Sequence, residues 1–329
     1  MTALTLLSNT MKKKAAVLYH YPCPDGAFAA LAAHLYFSAS SLPALFFPNT
    51  VYSPITPEKL PLYEIDHLYL LDYVGPPGFV QQISSKVSRV IVLDHHKTAL
   101  DASMEGLMEG ENVSKVIDMM RSGATIAFDY FKERIKDEIF ISKMESVRVL
   151  FDYIEDGDLW RWKLENSKAF SSGLKDSNIE FSFQLNPSLF EQLLSLDLES
   201  VINQGMASIA HKQKLIEETL NQSYEITLGG GAFGCCLAVD ADSVAELRSE
   251  LGQQLATKSR NLKLRGIGAI VYKVPELEND RLLKISLRSI ESEDTTPISL
   301  EFGGGGHRNA SSFLLSAAQF EHWKVAQML

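Results

Sequence analysis

Four apolar residues, Val90-Ile91-Val92-Leu93, run straight into Asp94-His95-His96. A run this short and this rich in β-branched residues reads as a buried strand of a parallel sheet. Its C-terminal end delivers an acid and two imidazoles to the edge where open α/β sheets bind ligands. A buried, satisfied histidine pair is the plain alternative. Adjacent imidazoles behind an acid at a strand end favour a functional site, because a neutral imidazole is a common metal ligand and the acid can fix its tautomer.

Two more apolar runs end the same way. Ala15–Tyr19 leads to His20, and His67–Leu71 leads to Asp72; a short run at Leu45-Phe46-Phe47 adds a further strand before a Pro-rich loop over 48–61. After His20 comes Tyr21-Pro22-Cys23-Pro24-Asp25-Gly26. Two prolines and a glycine make this a tight strand-to-helix loop. Asp25 is placed to cap the Ala-rich helix from Ala27, and beside His20 it reads as a metal ligand as well. His20, Asp72 and Asp94-His95-His96 thus share one sheet edge. A carboxylate and imidazole cluster suits Mn2+, Mg2+ or Zn2+ and leans towards the harder ions, with Cys23 as the one thiol nearby.

Ser122-Gly123-Ala124-Thr125 looks like a helix start. A helix from about 139 reaches Ile154, and then Glu155-Asp156-Gly157-Asp158-Leu159-Trp160-Arg161-Trp162 follows. Gly157 is expected to break that helix, so that Asp156 and Asp158 lie in a loop able to present a ligand, while Asp152 stays on the helix surface. A solvated acidic turn is the bland alternative.

At 329 residues the chain exceeds one ordinary core, which points to two domains. The pattern divides it into a flexible N-terminus over 1–14, a first domain over 15–197, a connecting helix over 198–222 and a smaller α/β domain over 223–329. The fold class is α/β, with a parallel sheet in the first domain. A formal net charge of -10 argues against long duplex nucleic acid as a partner. Cys23, Cys235 and Cys236 form no zinc-ribbon or disulfide framework, so an intracellular, reducing compartment, cytoplasm or organelle, is expected. No apolar run approaches the ~18 residues of a membrane span.

In the second half, strands are expected at 223–228, 233–239, 267–273 and 282–289, with helices at 244–259 and 317–328. The last of these strands ends in Arg288-Ser289. Then Gly303-Gly304-Gly305-Gly306 opens the backbone, so that its N–H groups could approach a phosphate, and His307-Arg308 follow with charge. A flexible linker is the alternative for the four glycines.

Together these motifs resemble the DHH phosphoesterase superfamily, which includes the RecJ exonucleases, the nano-RNases and the manganese pyrophosphatases. Asp94-His95-His96 carries the resemblance, with His20…Asp25-Gly26 upstream, Asp72 between and Asp156-Gly157-Asp158 downstream. Phe302-Gly303-Gly304-Gly305-Gly306-His307-Arg308-Asn309-Ala310 resembles the substrate motif of the DHH-associated domain. The resemblance implies two ions, Mn2+ with Mg2+ or Co2+ as alternatives. His20 and Asp25 would hold one ion, His95 and Asp156 the other, and Asp72 would bridge them; Asp158 is the reserve for Asp156. Asp94 would orient an imidazole and His96 would stand beside the phosphate. Arg288, Ser289, Gly304, Gly305, Gly306, His307 and Arg308 would bind substrate. The pattern departs from the family at two points. Only Asp25 stands where two acids are usual, which implies a weaker first ion, and Ser311-Ser312 precede Phe313 where a glycine is usual.

The function implied is a metal-dependent phosphodiesterase on a short single-stranded oligonucleotide or dinucleotide, with no membrane partner and a homodimer allowed. Trp160-Arg161-Trp162 favours bases over bare phosphate, since rings can stack. Two alternatives stay open: a phosphatase for pyrophosphate, polyphosphate or a 3′-phosphonucleotide, and a catalytically silent nucleotide-binding protein.

Overall fold

The computed structural model describes residues 14–325, so the expected N-terminal tail, except for Lys14, lies outside the described residues. The chain divides into two compact units, one up to Ser208 and one from Ile209 onwards.

The first unit is built on five strands: β1 (Lys14–His20), β2 (Ala44–Asn49), β3 (Ile65–Leu71), β4 (Arg89–Asp94) and β5 (Val113–Ile117). All pair in parallel, in the order β2-β1-β3-β4-β5. The helices are α1 (Pro24–Ala39), α2 (Phe79–Ser84), α3 (Lys97–Met104), α4 (Gly123–Lys132), α5 (Glu138–Asp158), α6 (Ser167–Asp176), α7 (Leu189–Leu194) and α8 (Leu198–Leu220). Alternation along β1 explains the layering. Val17 and Tyr19 join the core under α1, α4 and α5, while Ala16 and Leu18 join the core under α2 on the other face. Both faces are covered, which is why the strands read as continuous apolar runs. Helix α1 is apolar nearly all round and has Ala27 to Ala33 fully buried, as a helix hydrophobic on every side must be. Truncating a ring in that core, such as Phe28, should cost roughly 3–5 kcal/mol.

The strand order reverses between β1 and β3, so the loops after these strands diverge and leave a crevice at the C-terminal edge. Strand β5 carries no strong apolar alternation and is not anticipated by the sequence.

The second unit is a six-stranded mixed sheet of β6 (Tyr224–Thr227), β7 (Cys235–Asp240), β8 (Ile267–Tyr272), β9 (Leu282–Ser289), β10 (Gly305–His307) and β11 (Ala310–Ser316). Its order is β10-β11-β9-β8-β7-β6, with only β7 and β8 parallel. Helix α9 (Arg248–Asn261) packs on one face; α10 (Thr296–Glu301) and α11 (Ala317–Glu321) complete the unit. The expected terminal helix thus ends early at Glu321, and residues 326–329 lie outside the described residues. The division between units falls within α8, in the segment expected to connect them.

Candidate metal centre

His20 is the last residue of β1, and α1 begins four residues later with its first turn pressed against the strand end. A Cβ on Gly26 would lie 2.1 Å from the His20 carbonyl oxygen, so only glycine permits this approach. Asp25 sits in that first turn but does not cap its own helix. Its carboxylate instead accepts the N–H groups of Gly123 (2.7 Å) and Ala124 (3.0 Å) at the start of α4. Gly123 is a further requirement that the sequence reading treats only as a helix start. A Cβ there would lie 2.6 Å from Asp72 Cβ and 2.9 Å from Asp25 Oδ2.

Asp72 follows β3 in the left-handed region, at φ 56°. That turn aims its carboxylate into the crevice. Oδ2 lies 3.1 Å from His20 Nδ1, and Oδ1 lies 3.2 Å from His95 Nε2 and 3.5 Å from His96 Nδ1. At the end of β4, Asp94 Oδ1 accepts the backbone N–H groups of His95 (2.6 Å) and His96 (2.9 Å) and pairs with His96 Nδ1 at 2.8 Å. Asp94 therefore fixes the turn and orients the His96 ring.

The acidic segment departs from expectation. Helix α5 continues through Gly157 to Asp158. Two helical residues turn about 200°, so Asp156 and Asp158 point to opposite sides. The Asp156 carboxylate is buried and accepts the N–H groups of Lys163 (3.0 Å) and Leu164 (3.2 Å), tying down the segment after the helix. Burial alone would raise its pKa; the donors around it hold it below the usual carboxylate range. Asp156 is thus spent on the chain itself, and Asp158 brings its Oδ2 to 3.5 Å from His95 Nε2. Asp152 stays on the helix surface, paired with Arg148 at 2.8 Å.

Three overlapping sets of donors result: His20 with Cys23 and Asp72; Asp72 with His95 and His96; and Asp25 with His95 and Asp158. Within each set the ligating atoms lie within 4.8 Å of one another. Asp72 and His95 each belong to two sets. Cys23 stands where the first motif lacks its second acid, although burial, then Asp72 and Asp25, push its thiol up to about 12 in the absence of an ion.

The electrostatics show what the site lacks. Asp25 is raised well above the ordinary carboxylate range, first by burial and then by Asp72 and Asp158. Asp158 is raised for the same first reason. Burial opposes charge on His95, yet Asp72, Asp25 and Asp158 outweigh it and lift its pKa to about 9. Asp72 resists burial through His20 and His95 and stays below its usual value. Asp72 Oδ1 and Asp158 Oδ2 are buried with no hydrogen-bond partner. Buried carboxylate oxygens that share a single imidazole are costly unless a further cation satisfies them, so this donor set fits divalent metal. The cluster borders two cavities. One of about 160 Å3 is bordered by His20, Asp72, Asp94 and His96, and one of about 400 Å3 by Asp25 and Asp158.

In the second unit the expected substrate residues divide. His307 and Arg308 are exposed in the hairpin between β10 and β11, and Arg288 on β9 is half-buried. Ser289 is instead turned inwards, its hydroxyl accepting Asn309 Nδ2 at 2.9 Å. Gly304 is also spent on the fold: its N–H donates to the Ser299 carbonyl at 2.8 Å, and a Cβ would lie 2.1 Å from the Ser312 oxygen. Gly306 adopts φ 142°, whereas a Cβ on Gly305 would meet nothing within 4 Å. Of the glycines, Gly305 alone has no requirement from the surrounding chain. Ser311 finds hydroxyl partners in Ser299 (2.5 Å) and Thr295 (2.7 Å).

No protein-family model matches the chain. It is 25% identical to an uncharacterized protein of Acanthamoeba polyphaga mimivirus over 311 residues, covering 91% of this chain and 67% of that one. Among solved structures it is similar to a pGpG-specific phosphodiesterase from Vibrio cholerae, with 12% identity and a TM-score of 0.41 over 94% of this chain and 95% of that one. It is also similar to an exopolyphosphatase-related protein from Bacteroides fragilis, with 15% identity and a TM-score of 0.37 over 92% and 86% of the two chains. Exonuclease RecJ, solved with manganese, matches at 16% identity and a TM-score of 0.39 over 94% and 88%. These solved neighbours are DHH-family phosphoesterases. Among the described residues, no helix is long and apolar enough to cross a membrane.

Proposed function

We propose that this protein is a divalent-metal-dependent phosphodiesterase of the DHH kind, acting on short single-stranded oligonucleotides or dinucleotides. The observation that carries the reading is the pair of buried carboxylate oxygens on Asp72 and Asp158 that share one imidazole, His95, at the switch point of a parallel sheet. The order of motifs along the sequence supports the same reading.

His20, Cys23 and Asp72 are placed for one ion, and Asp25, His95 and Asp158 for another; Asp72 and His95, one from each set, meet in the third set with His96. Divalent ions, when bound, acidify the attacking water and offset charge on phosphoryl oxygens. The chain's own residues do the rest. His96 is held by Asp94 through Nδ1, so its Nε2 is left for the smaller cavity. Hydrogen bonding to Asp94 raises its pKa against the cost of burial, which favours the protonated ring. That ring can hydrogen-bond a phosphoryl oxygen or donate a proton to the departing alkoxide. In the second unit, Arg288, His307 and Arg308 supply cationic or donor groups suited to a phosphate, with open space beside Gly305. Net charge of -10 is compatible with small anionic substrates and unfavourable for long duplexes.

The test is turnover of a dinucleotide with Mn2+, with and without a chelator. Turnover lost in chelator and restored by metal is the expected result. Mn2+ binding with no cleavage of any phosphoester would move the protein to the nucleotide-binding alternative, and cleavage of pyrophosphate alone to the phosphatase alternative.

A further inference from the structure

The larger cavity, about 400 Å3, opens beside Asp25 and Asp158 and is lined by first-unit residues alone. Its size lies within the range of about 300–1,000 Å3 typical of ligand pockets. Away from the two acids the wall is largely apolar and aromatic, with Tyr153 from α5, Phe170 and Leu174 from α6, and Phe181 from the loop that follows. Phe170 and Leu174 are buried. The Tyr153 ring packs on Phe170 with centroids 5.0 Å apart, and its hydroxyl donates to the Glu165 carbonyl at 2.8 Å, so this wall is held in place. Ser171 and Lys175 are the exposed polar residues at the rim.

Metal chemistry on a phosphate requires none of this wall. A phosphate chain is anionic throughout and gains nothing from aromatic carbon, whereas a flat, weakly polar ring stacks on it. We propose that this cavity receives the nucleobase of the nucleotide whose phosphate lies at the Asp-His cluster. Ser171 and Lys175 then meet polar groups of base or sugar at the rim. The inference rests on the phosphodiesterase reading and narrows it to base-bearing substrates over polyphosphate.

The test compares adenosine 5′-monophosphate with ribose 5-phosphate as ligands of the Mn2+-loaded full chain, by calorimetry. The two share the phosphate and sugar, so their ratio isolates the base. A single stacked base should give the nucleotide an advantage of about tenfold or more. Ser171→Trp, which fills the rim from an exposed position, should reduce that advantage to about twofold. Phe181→Ala, which removes one face of the wall, should reduce it as well. Equal affinity for the two ligands in the unaltered chain, or an advantage that survives both substitutions, overturns the proposal. The outcome is separable from the test of activity. Base-dependent binding without turnover defeats the phosphodiesterase reading and keeps the pocket; turnover without base-dependent binding does the reverse.

Discussion

At the sheet edge of the first unit, Asp25, Asp72 and Asp158 crowd around His95, and two of their buried oxygens share that one imidazole. In the glycine hairpin of the second unit, the buried polar groups are all matched to one another: Asn309 to Ser289 and two carbonyls, and Ser311 to Ser299 and Thr295. Its charged groups, His307 and Arg308, stand in solvent. The first region therefore carries a standing electrostatic cost that a cation relieves, while the second is satisfied by itself and offers only exposed donors. Buried charge with too few partners marks the place of chemistry; exposed charge on a finished scaffold marks a place of contact.

The sharpest way to break this comparison is to remove the carboxylate shared between two ligand sets. Asp72→Ala should lower turnover by about a thousandfold or more, since one ion loses a ligand and the link to His95 between the two sets is broken. The metal-free fold should persist or gain stability as like-charge crowding eases, which circular dichroism and a melting curve would show. Near-full turnover in this variant would falsify the shared role of Asp72.

Asp158 and Asp156 sharpen it next. Asp158→Asn should weaken Mn2+ binding by about 10–100-fold with little change in melting temperature. Asp156→Asn should do the opposite, costing about 0.5–2 kcal/mol because the amide keeps only one of the two oxygens that accept from Lys163 and Leu164, and leaving metal affinity close to normal. Titration and denaturation of the two variants side by side decide the matter, and reversed results would return the ligand to Asp156.

The crowding also predicts a pH dependence. His95 has a folded pKa of about 9 in the metal-free protein, above the ordinary value near 6.5. A raised imidazole pKa contributes stability that is full below the unfolded value and fades as pH climbs through the folded one. Metal-free protein should therefore lose roughly 1–3 kcal/mol between pH 6.5 and 9. Mn2+ should remove that loss, because the acids then face a cation that does not titrate. A flat metal-free profile across this window would mean that the acids are not acting on His95.

The smallest effect is expected in the second unit. His307→Ala should raise KM for a dinucleotide about tenfold, as loss of one exposed hydrogen bond or charge would. A small generic diester should be cleaved as before. Equal losses on both substrates would show that the hairpin serves the fold or the chemistry instead of binding.

Much of this was legible in the residues. Apolar runs ending in His20, Asp72 and Asp94-His95-His96 indicate parallel strands that converge on one edge, because side-chain period and burial leave few other readings of such runs. Where sequence reasoning misplaced a group, the cause was geometric. Gly157 reads as a breaker, yet a helix tolerates one glycine at a cost of about 1 kcal/mol, and α5 runs on to Asp158. Asp25 reads as the cap of its own helix, yet the N–H groups it accepts belong to α4, about a hundred residues away in sequence. Ser289 and Gly304 read as substrate contacts, yet both are used to hold the hairpin.

The sequence by itself determined which residue types meet at the first unit's sheet edge, since strand ends of a parallel sheet lie together whatever the loops do. Only the tertiary structure decided which acid of Asp156 and Asp158 faces His95, that Gly123 admits two carboxylates side by side, and that Asp72 Oδ1 and Asp158 Oδ2 share one imidazole. Those are matters of direction and distance at the scale of one bond. A linear pattern records spacing along the chain; whether a carboxylate meets an imidazole or a backbone N–H depends on packing between segments that the pattern does not encode.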